Sequence, residues 1–238
     1  MPRIADNLKR IRDSIAAAAE RSGRAANAVT LVAVTKSASA AEARELALAG
    51  CADLGEGRPQ ELWYKQAALP DLPIRWHLVG HLQRNKVERT LPLVSLIHSV
   101  DSLRLLEALE RACPSCRPAG SRLDVYLEVN ASREVNKHGF APQEIVALAP
   151  ALLPLTQLRV VGLMTMAAYE EDPERCRPTF ATVRRLRDRL RQTVGPAHPL
   201  QHLSMGMSND FEVAIEEGAT VVRLGTVLFE GLQEGPEP

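Results

Sequence analysis

From residue 30 onward, short runs dense in Val, Leu and Ile alternate with longer stretches in which apolar residues recur every three or four positions. The short runs fit strands buried on both faces, and the longer stretches fit amphipathic helices. Eight strand candidates result, at 30–36, 51–56, 75–80, 95–101, 123–130, 158–166, 202–207 and 221–229. Seven helical segments separate them: AAEARELALAG, RPQELWYKQAAL, QRNKVERTLPLV, SLRLLEALERAC, APQEIVALAPALL, PERCRPTFATVRRLRDRLRQTVG and NDFEVAIEEG. Ser102 and Asn209 stand where N-caps belong, and Gly50, Gly195 and Gly218 stand where helices should stop. Ahead of the first strand, MPRIADNLKRIRDSIAAAAERSG spaces its apolar residues as one more surface helix.

Regular alternation of β and α elements dictates a parallel sheet with right-handed crossovers, either doubly wound or closed. Eight units favour closure. The expected fold is α/β, a single (β/α)8 TIM barrel spanning 1–238 with an extra N-terminal helix. No Ser/Gly-rich linker interrupts the rhythm, and the tail GLQEGPEP is expected to fray.

Composition narrows the class of partner. Lys plus Arg and Asp plus Glu stand at 29 each, so no bulk field draws the chain toward nucleic acid or a membrane surface. No apolar run approaches the roughly 20 residues that cross a bilayer, and the amino terminus lacks a signal-peptide core, so a cytoplasmic protein is expected. The cysteines Cys51, Cys113, Cys116 and Cys176 are too few and scattered for a disulfide framework. Cys113-Pro-Ser-Cys116 has redox spacing, yet it follows a helix instead of opening one.

Barrels of this kind collect chemistry at the C-terminal strand ends, with phosphate often held by the loops after strands seven and eight. Strand seven runs into Ser204, Gly206 and Ser208, and strand eight carries Arg223, Gly225 and Thr226. Gly225 permits close backbone approach to an anion, its N–H and that of Thr226 can point at phosphate oxygens, and Ser204 or Ser208 can add a hydroxyl. The bland alternative is that both glycines only serve turns. Lys36 ends the first strand at the same rim, one of five lysines against 24 arginines. A desolvated lysine amine can attack a carbonyl to form a Schiff base. A lysine there can also snorkel into solvent or pair with Glu56, and Lys137 is a competing amine.

Arg223 lies two residues before Gly225, hence on the same strand face, and projects inward. It can pair with Glu56 or Glu128, or face the ring nitrogen of a phosphorylated heterocycle and keep it unprotonated. His77 and His81 have metal spacing only for a helix, whereas a strand turns at Gly80, so no metal is expected. His77 reads as structural, while His81 and Asn85 line the mouth.

The segments LVAVTK, WHLVGHLQRNK, SVDSL, GLMTM, LSMGMSNDF and EEGATVVRLGT together resemble the pyridoxal phosphate homeostasis protein family over essentially the whole chain. The resemblance implies a barrel like the N-terminal domain of alanine racemase, with pyridoxal 5'-phosphate (PLP) held as a Schiff base on Lys36. It further implies that Ser204, Gly225 and Thr226 hold the phosphate and Arg223 faces the pyridine nitrogen. His81, Asn85, Met164, Gly206 and Ser208 complete the expected cofactor-binding set. The implied role is PLP (vitamin B6) homeostasis as a carrier or buffer without established catalysis; separately, a monomer is expected, with PLP-accepting apoenzymes as candidate partners. The family commonly reads Gly-Glu-Asn where this chain has Gly55-Glu56-Gly57, and Phe-Gly where it has Phe229-Glu230-Gly231.

Three rivals stand beside this reading. A PLP-dependent amino-acid racemase shares fold, lysine and phosphate cup, but needs a second base, and only Tyr64, Tyr126 and Tyr169 are on offer as tyrosines. A Schiff-base aldolase needs no cofactor at all. A regulatory protein with a vestigial site needs neither.

Overall fold

In the computed structural model, which describes residues 2–132 and 138–232, eight parallel strands close into a barrel in sequence order. They are β1 (Thr30–Val34), β2 (Asp53–Glu56), β3 (Arg75–Leu78), β4 (Leu96–Val100), β5 (Leu123–Glu128), β6 (Leu158–Met164), β7 (His202–Ser204) and β8 (Val221–Leu224). The helices are α1 (Pro2–Arg21), α2 (Ala40–Leu48), α3 (Pro59–Ala68), α4 (Val87–Thr90), α5 (Leu103–Cys116), α6 (Ala149–Leu152), α7 (Arg177–Val194) and α8 (Phe211–Glu216). Closure comes from β1 against β8, where Thr30 faces Val221 and Val32 faces Arg223 in register.

The expected strands overran at their C-terminal ends. Residues 35–36 and 225–229 leave the ladder, because there the chain turns outward into the mouth loops. Two expected helices are broken: 83–94 becomes a 3-10 turn, the single turn α4 and a second 3-10 turn, and 141–153 becomes a 3-10 turn followed by α6. Pro92 and Pro150 fall in these segments and remove backbone donors a longer helix would need. Ser102 caps α5 as expected, accepting from the Leu105 N–H at 3.3 Å. The N-cap of α8 is Asp210 rather than Asn209, whose amide instead donates to the Glu170 carbonyl. Of the tail, residues 233–238 lie outside the described residues, as does Lys137.

Period-two alternation divides the barrel residues between two environments. Leu54, Trp76, Leu78, Ile97 and Leu224 point outward into the shell beneath the helices, which holds most of the core. Val32, Tyr126, Val161, Met164 and Val221 fill the interior. The stripe Ile4, Leu8, Ile11, Ile15 and Ala18 buries one face of α1, which packs against α8 and α2. Gly162 is required by packing, since a Cβ there would strike the His202 carbonyl of the neighbouring strand.

Candidate functional site

Lys36 follows β1 by two residues, in phase with the interior residues Val32 and Val34, and its side chain is exposed at the C-terminal mouth. It does not pair with Glu56. Glu56 points away from the interior and is completely buried, with Oε1 accepting from Lys65 Nζ at 2.7 Å and from Thr35 Oγ1 at 2.6 Å. Lys65 Nζ also donates to the Thr35 carbonyl at 2.5 Å. A buried lysine on α3 therefore clamps the end of the strand that carries Lys36. Sequence reading missed Lys65, although the signal was present: it falls three residues after Leu62 on the buried stripe Pro59, Leu62, Lys65.

Arg223 projects inward from β8 and is buried. Its Nη1 donates to Ser204 Oγ at 2.7 Å and its Nη2 to the Thr165 carbonyl at 2.9 Å. Nε has no acceptor among the described residues. Burial lowers its pKa to about 10, opposed by the charges of Glu128 and Asp210, so the guanidinium stays cationic at neutral pH. Ser204 is fully buried, and its hydroxyl is engaged with Arg223 and, at 2.8 Å, with His98 Nδ1. Ser208, by contrast, is half-buried on the loop after β7. Gly206, with φ of 97°, turns that loop, and its carbonyl receives the Arg223 backbone N–H. Met164 is buried in the interior, opposite Ser204 in the β6–β7 register.

Gly225 leaves β8 beside the Val34 carbonyl, 2.9 Å from where a Cβ would sit, so the close approach itself demands glycine. It caps a 3-10 turn, Thr226–Leu228, whose first N–H groups have no acceptor within the turn. Thr226 is exposed. These elements bring Lys36, Arg223, Gly225, Thr226 and Ser208 to one mouth.

On the β3–β4 side, His81 and Asn85 line a cavity of about 460 Å³ together with Gln83, Asp101 and Ser102. His81 Nδ1 lies 2.8 Å from Asp101 Oδ2, and its ring stacks on His138 with centroids 4.3 Å apart. His81, Asp101 and His138 each bring one donor atom within 4.8 Å of the others, a grouping the His77–His81 spacing does not reveal. His77 is buried in the interior, as expected of a structural residue. Gly57 has open space around it and Arg58 is exposed. Cys113 and Cys116 end α5, and burial pushes the Cys113 thiol up to about 11, the opposite of activation.

Glu128 ends β5 at the mouth and is 5% exposed. Burial, helped by the charge of Asp101, raises its pKa from 4.5 to about 7 against the pull of Arg223 and His81. The folded chain thus holds this proton more tightly than the unfolded chain, and the associated stability is complete below pH 4.5 and lost as pH rises through 7. Relative to wild type, Glu128→Gln should gain up to about 3 kcal/mol between pH 4.5 and 8, measured by urea denaturation of cofactor-free protein. A difference between the two proteins that does not change with pH would refute this assignment.

Comparison with known proteins agrees with the architecture. The family described as alanine racemase, N-terminal domain, matches residues 6–233. The pyridoxal phosphate homeostasis protein of Aquifex aeolicus is 42% identical over 226 residues, covering 94% of this chain and 96% of that protein. Its counterpart from Pseudomonas aeruginosa is 41% identical over 229 residues, with 96% of each covered. The chain belongs to the pyridoxal phosphate homeostasis protein family. Among solved structures, PipY of Synechococcus elongatus with PLP bound superposes with a TM-score of 0.82 at 36% identity, covering 95% of this chain and 99% of that one. Alanine racemase from Corynebacterium glutamicum, at 17% identity and TM-score 0.69, shares the fold alone, and this chain covers 64% of it. No helix among the described residues is long and apolar enough to cross a membrane.

Proposed function

We propose that this homeostasis-family barrel holds PLP covalently through Lys36 and serves as a cytoplasmic, monomeric PLP carrier or buffer that supplies apoenzymes without turning over a substrate. The observation that carries this reading is the placement of Lys36 at the end of β1 and of the buried Arg223 guanidinium on the adjoining strand β8, with no hydrogen bond from its Nε–H among the described residues. PLP, when bound, supplies an aldehyde that condenses with an amine, a phosphate and a pyridine ring. Lys36 offers the amine, and the Arg223 Nε–H suits a neutral ring nitrogen, since a guanidinium only donates. Ser208, Gly225 and Thr226 suit the phosphate. Ser204, occupied by Arg223 and His98, is better placed to orient Arg223 than to bind phosphate. PipY, which binds PLP in its solved structure, supports the assignment by its likeness.

A cation against the ring nitrogen keeps that nitrogen unprotonated, which weakens the ring as an acceptor of electrons. Tyr126 is sealed in the interior, stacked on His98, and burial raises its hydroxyl pKa further. Tyr64 and Tyr169 are exposed, Tyr169 by 81%. A racemase-like reading has one observation in its favour: Glu128 faces the mouth with a pKa near the optimum for a base. The discriminating experiment incubates PLP-saturated protein with L- and D-amino acids in deuterated water and follows Cα exchange by NMR. The carrier reading expects exchange slower than about 1 s⁻¹, the lower end of ordinary enzymatic rates. Faster exchange, abolished in Glu128→Gln, would make the protein an enzyme.

A further inference from the structure

A chain of hydrogen bonds descends through the barrel interior from the cofactor mouth to the opposite end, and every link is a side chain. Arg223 Nη1 meets Ser204 Oγ at 2.7 Å, and Ser204 Oγ meets His98 Nδ1 at 2.8 Å. His98 Nε2 meets His77 Nδ1 at 2.9 Å, and His77 Nε2 meets Asp53 Oδ1 at 3.0 Å. Arg75, 61% exposed at its side chain, closes the far end with two hydrogen bonds to the Asp53 carboxylate. Arg223, Ser204, His98, His77 and Asp53 are all buried and come from β8, β7, β4, β3 and β2. Ordinary barrel interiors of this type are packed with branched apolar side chains, so a polar file here needs a reason.

The two ends, with neutral rings between them, determine its direction. A guanidinium only donates and an ionised carboxylate only accepts. Asp53 is ionised: burial works to raise its pKa, but the hydrogen bonds from His77 and Arg75 outweigh it and hold it at about 2. Burial, seconded by the positive charge of Arg223, pushes the His98 pKa well below its usual value, so its ring is neutral. In the order that keeps His77 neutral as well, Ser204 accepts from Arg223 and donates to His98 Nδ1. His98 carries its proton on Nε2 and gives it to His77 Nδ1, and His77 in turn donates from Nε2 to Asp53. Given two neutral imidazoles, this is the one order that satisfies every bond in the file. The hydroxyl hydrogen of Ser204 is spent inward, which leaves its remaining contact to fix the guanidinium.

We propose that His98 and His77 are positioning residues for Arg223, forming a one-way hydrogen-bond relay that aims its Nε–H at the cofactor ring from an anchor, Asp53–Arg75, at the far end of the barrel. The proposal rests on the PLP reading of the mouth. It makes Asp53, which cannot touch the cofactor, a determinant of how the cofactor is held.

The test has an arm that needs no cofactor. Long-range proton–nitrogen NMR of the histidine side chains in cofactor-free protein should show His77 and His98 as neutral Nε2–H tautomers. An Nδ1–H tautomer at His98, or a doubly protonated His77 at pH 7.5, would overturn the relay whatever the protein binds. In the second arm, Asp53→Leu removes the terminal acceptor and Asp53→Asn restores one. Asp53→Leu should disturb both tautomers, shift the visible absorption band of bound PLP and weaken PLP affinity roughly tenfold, the loss expected for one hydrogen bond involving a charged group. Asp53→Asn should return band and affinity toward wild type. Altered tautomers with unchanged band and affinity in Asp53→Leu would defeat the positioning role while leaving PLP binding intact. Should Asp53→Leu fail to fold, the wild-type tautomers together with a band and affinity in Asp53→Asn that follow its tautomers decide the matter. A wild-type protein that takes up no PLP would defeat the underlying reading, which the tautomer arm keeps separate.

Discussion

Borohydride reduction of the PLP-saturated protein should fix one phosphopyridoxyl group on Lys36, and Lys36→Ala should abolish that fixation. The other described lysines are poorly placed to compete. Lys9 is paired with Asp13 on α1, and Lys65 is buried against Glu56 and the Thr35 carbonyl. Lys86 lies in the 3-10 turn between β3 and α4. Among the described lysines, Lys36 alone stands at the end of β1, in phase with the interior face and beside the strand that carries Arg223. Hydride converts a reversible carbon–nitrogen linkage to a stable secondary amine, so peptide mass spectrometry reads the site directly. Modification chiefly on Lys137 or Lys86, or none at saturating PLP, would remove the central claim. Pyridoxal without phosphate should label far less at equal concentration, because the loops carrying Ser208, Gly225 and Thr226 would have no anion to hold.

The second large effect concerns a residue that never meets the cofactor. Lys65→Ala should destabilise the protein by about 3 to 5 kcal/mol, the usual consequence of leaving a buried charge without its partner. Glu56 would retain only Thr35 Oγ1, and Glu56 Oε2 already lacks a partner among the described residues. The Thr35 carbonyl would lose its donor as well, so the strand end before Lys36 should loosen. At roughly 2 to 4 °C per kcal/mol for a chain of this size, a thermal melt should show a drop on the order of 10 °C. Because desolvation penalises both ions, the double variant Lys65→Met, Glu56→Leu should recover most of the loss. A single variant within 1 kcal/mol of wild type would mean that Lys65 is not the clamp the geometry describes.

What the sequence determined by itself follows from periodicity, which is local. Alternating runs specified eight strands, their order and closure, because parallel connections of one hand leave few topologies for eight βα units. Period two along the last strand put Arg223 and Gly225 on one inward face, and the end of the first strand put Lys36 at the same rim. Strand ends and weak helices were less legible: residues 35–36 depart where a lysine from another element captures the Thr35 carbonyl, and 141–153 breaks around Pro150. Only the tertiary structure decided which polar groups meet. The file from Arg223 to Asp53 draws on five strands separated by up to 170 positions, and Lys65, not Lys36 or Arg223, takes Glu56. A buried polar atom must find a partner of complementary kind, but nothing local says which. Closing the barrel chose those partners by bringing the inner faces of β2, β3, β4, β7 and β8 within hydrogen-bonding reach.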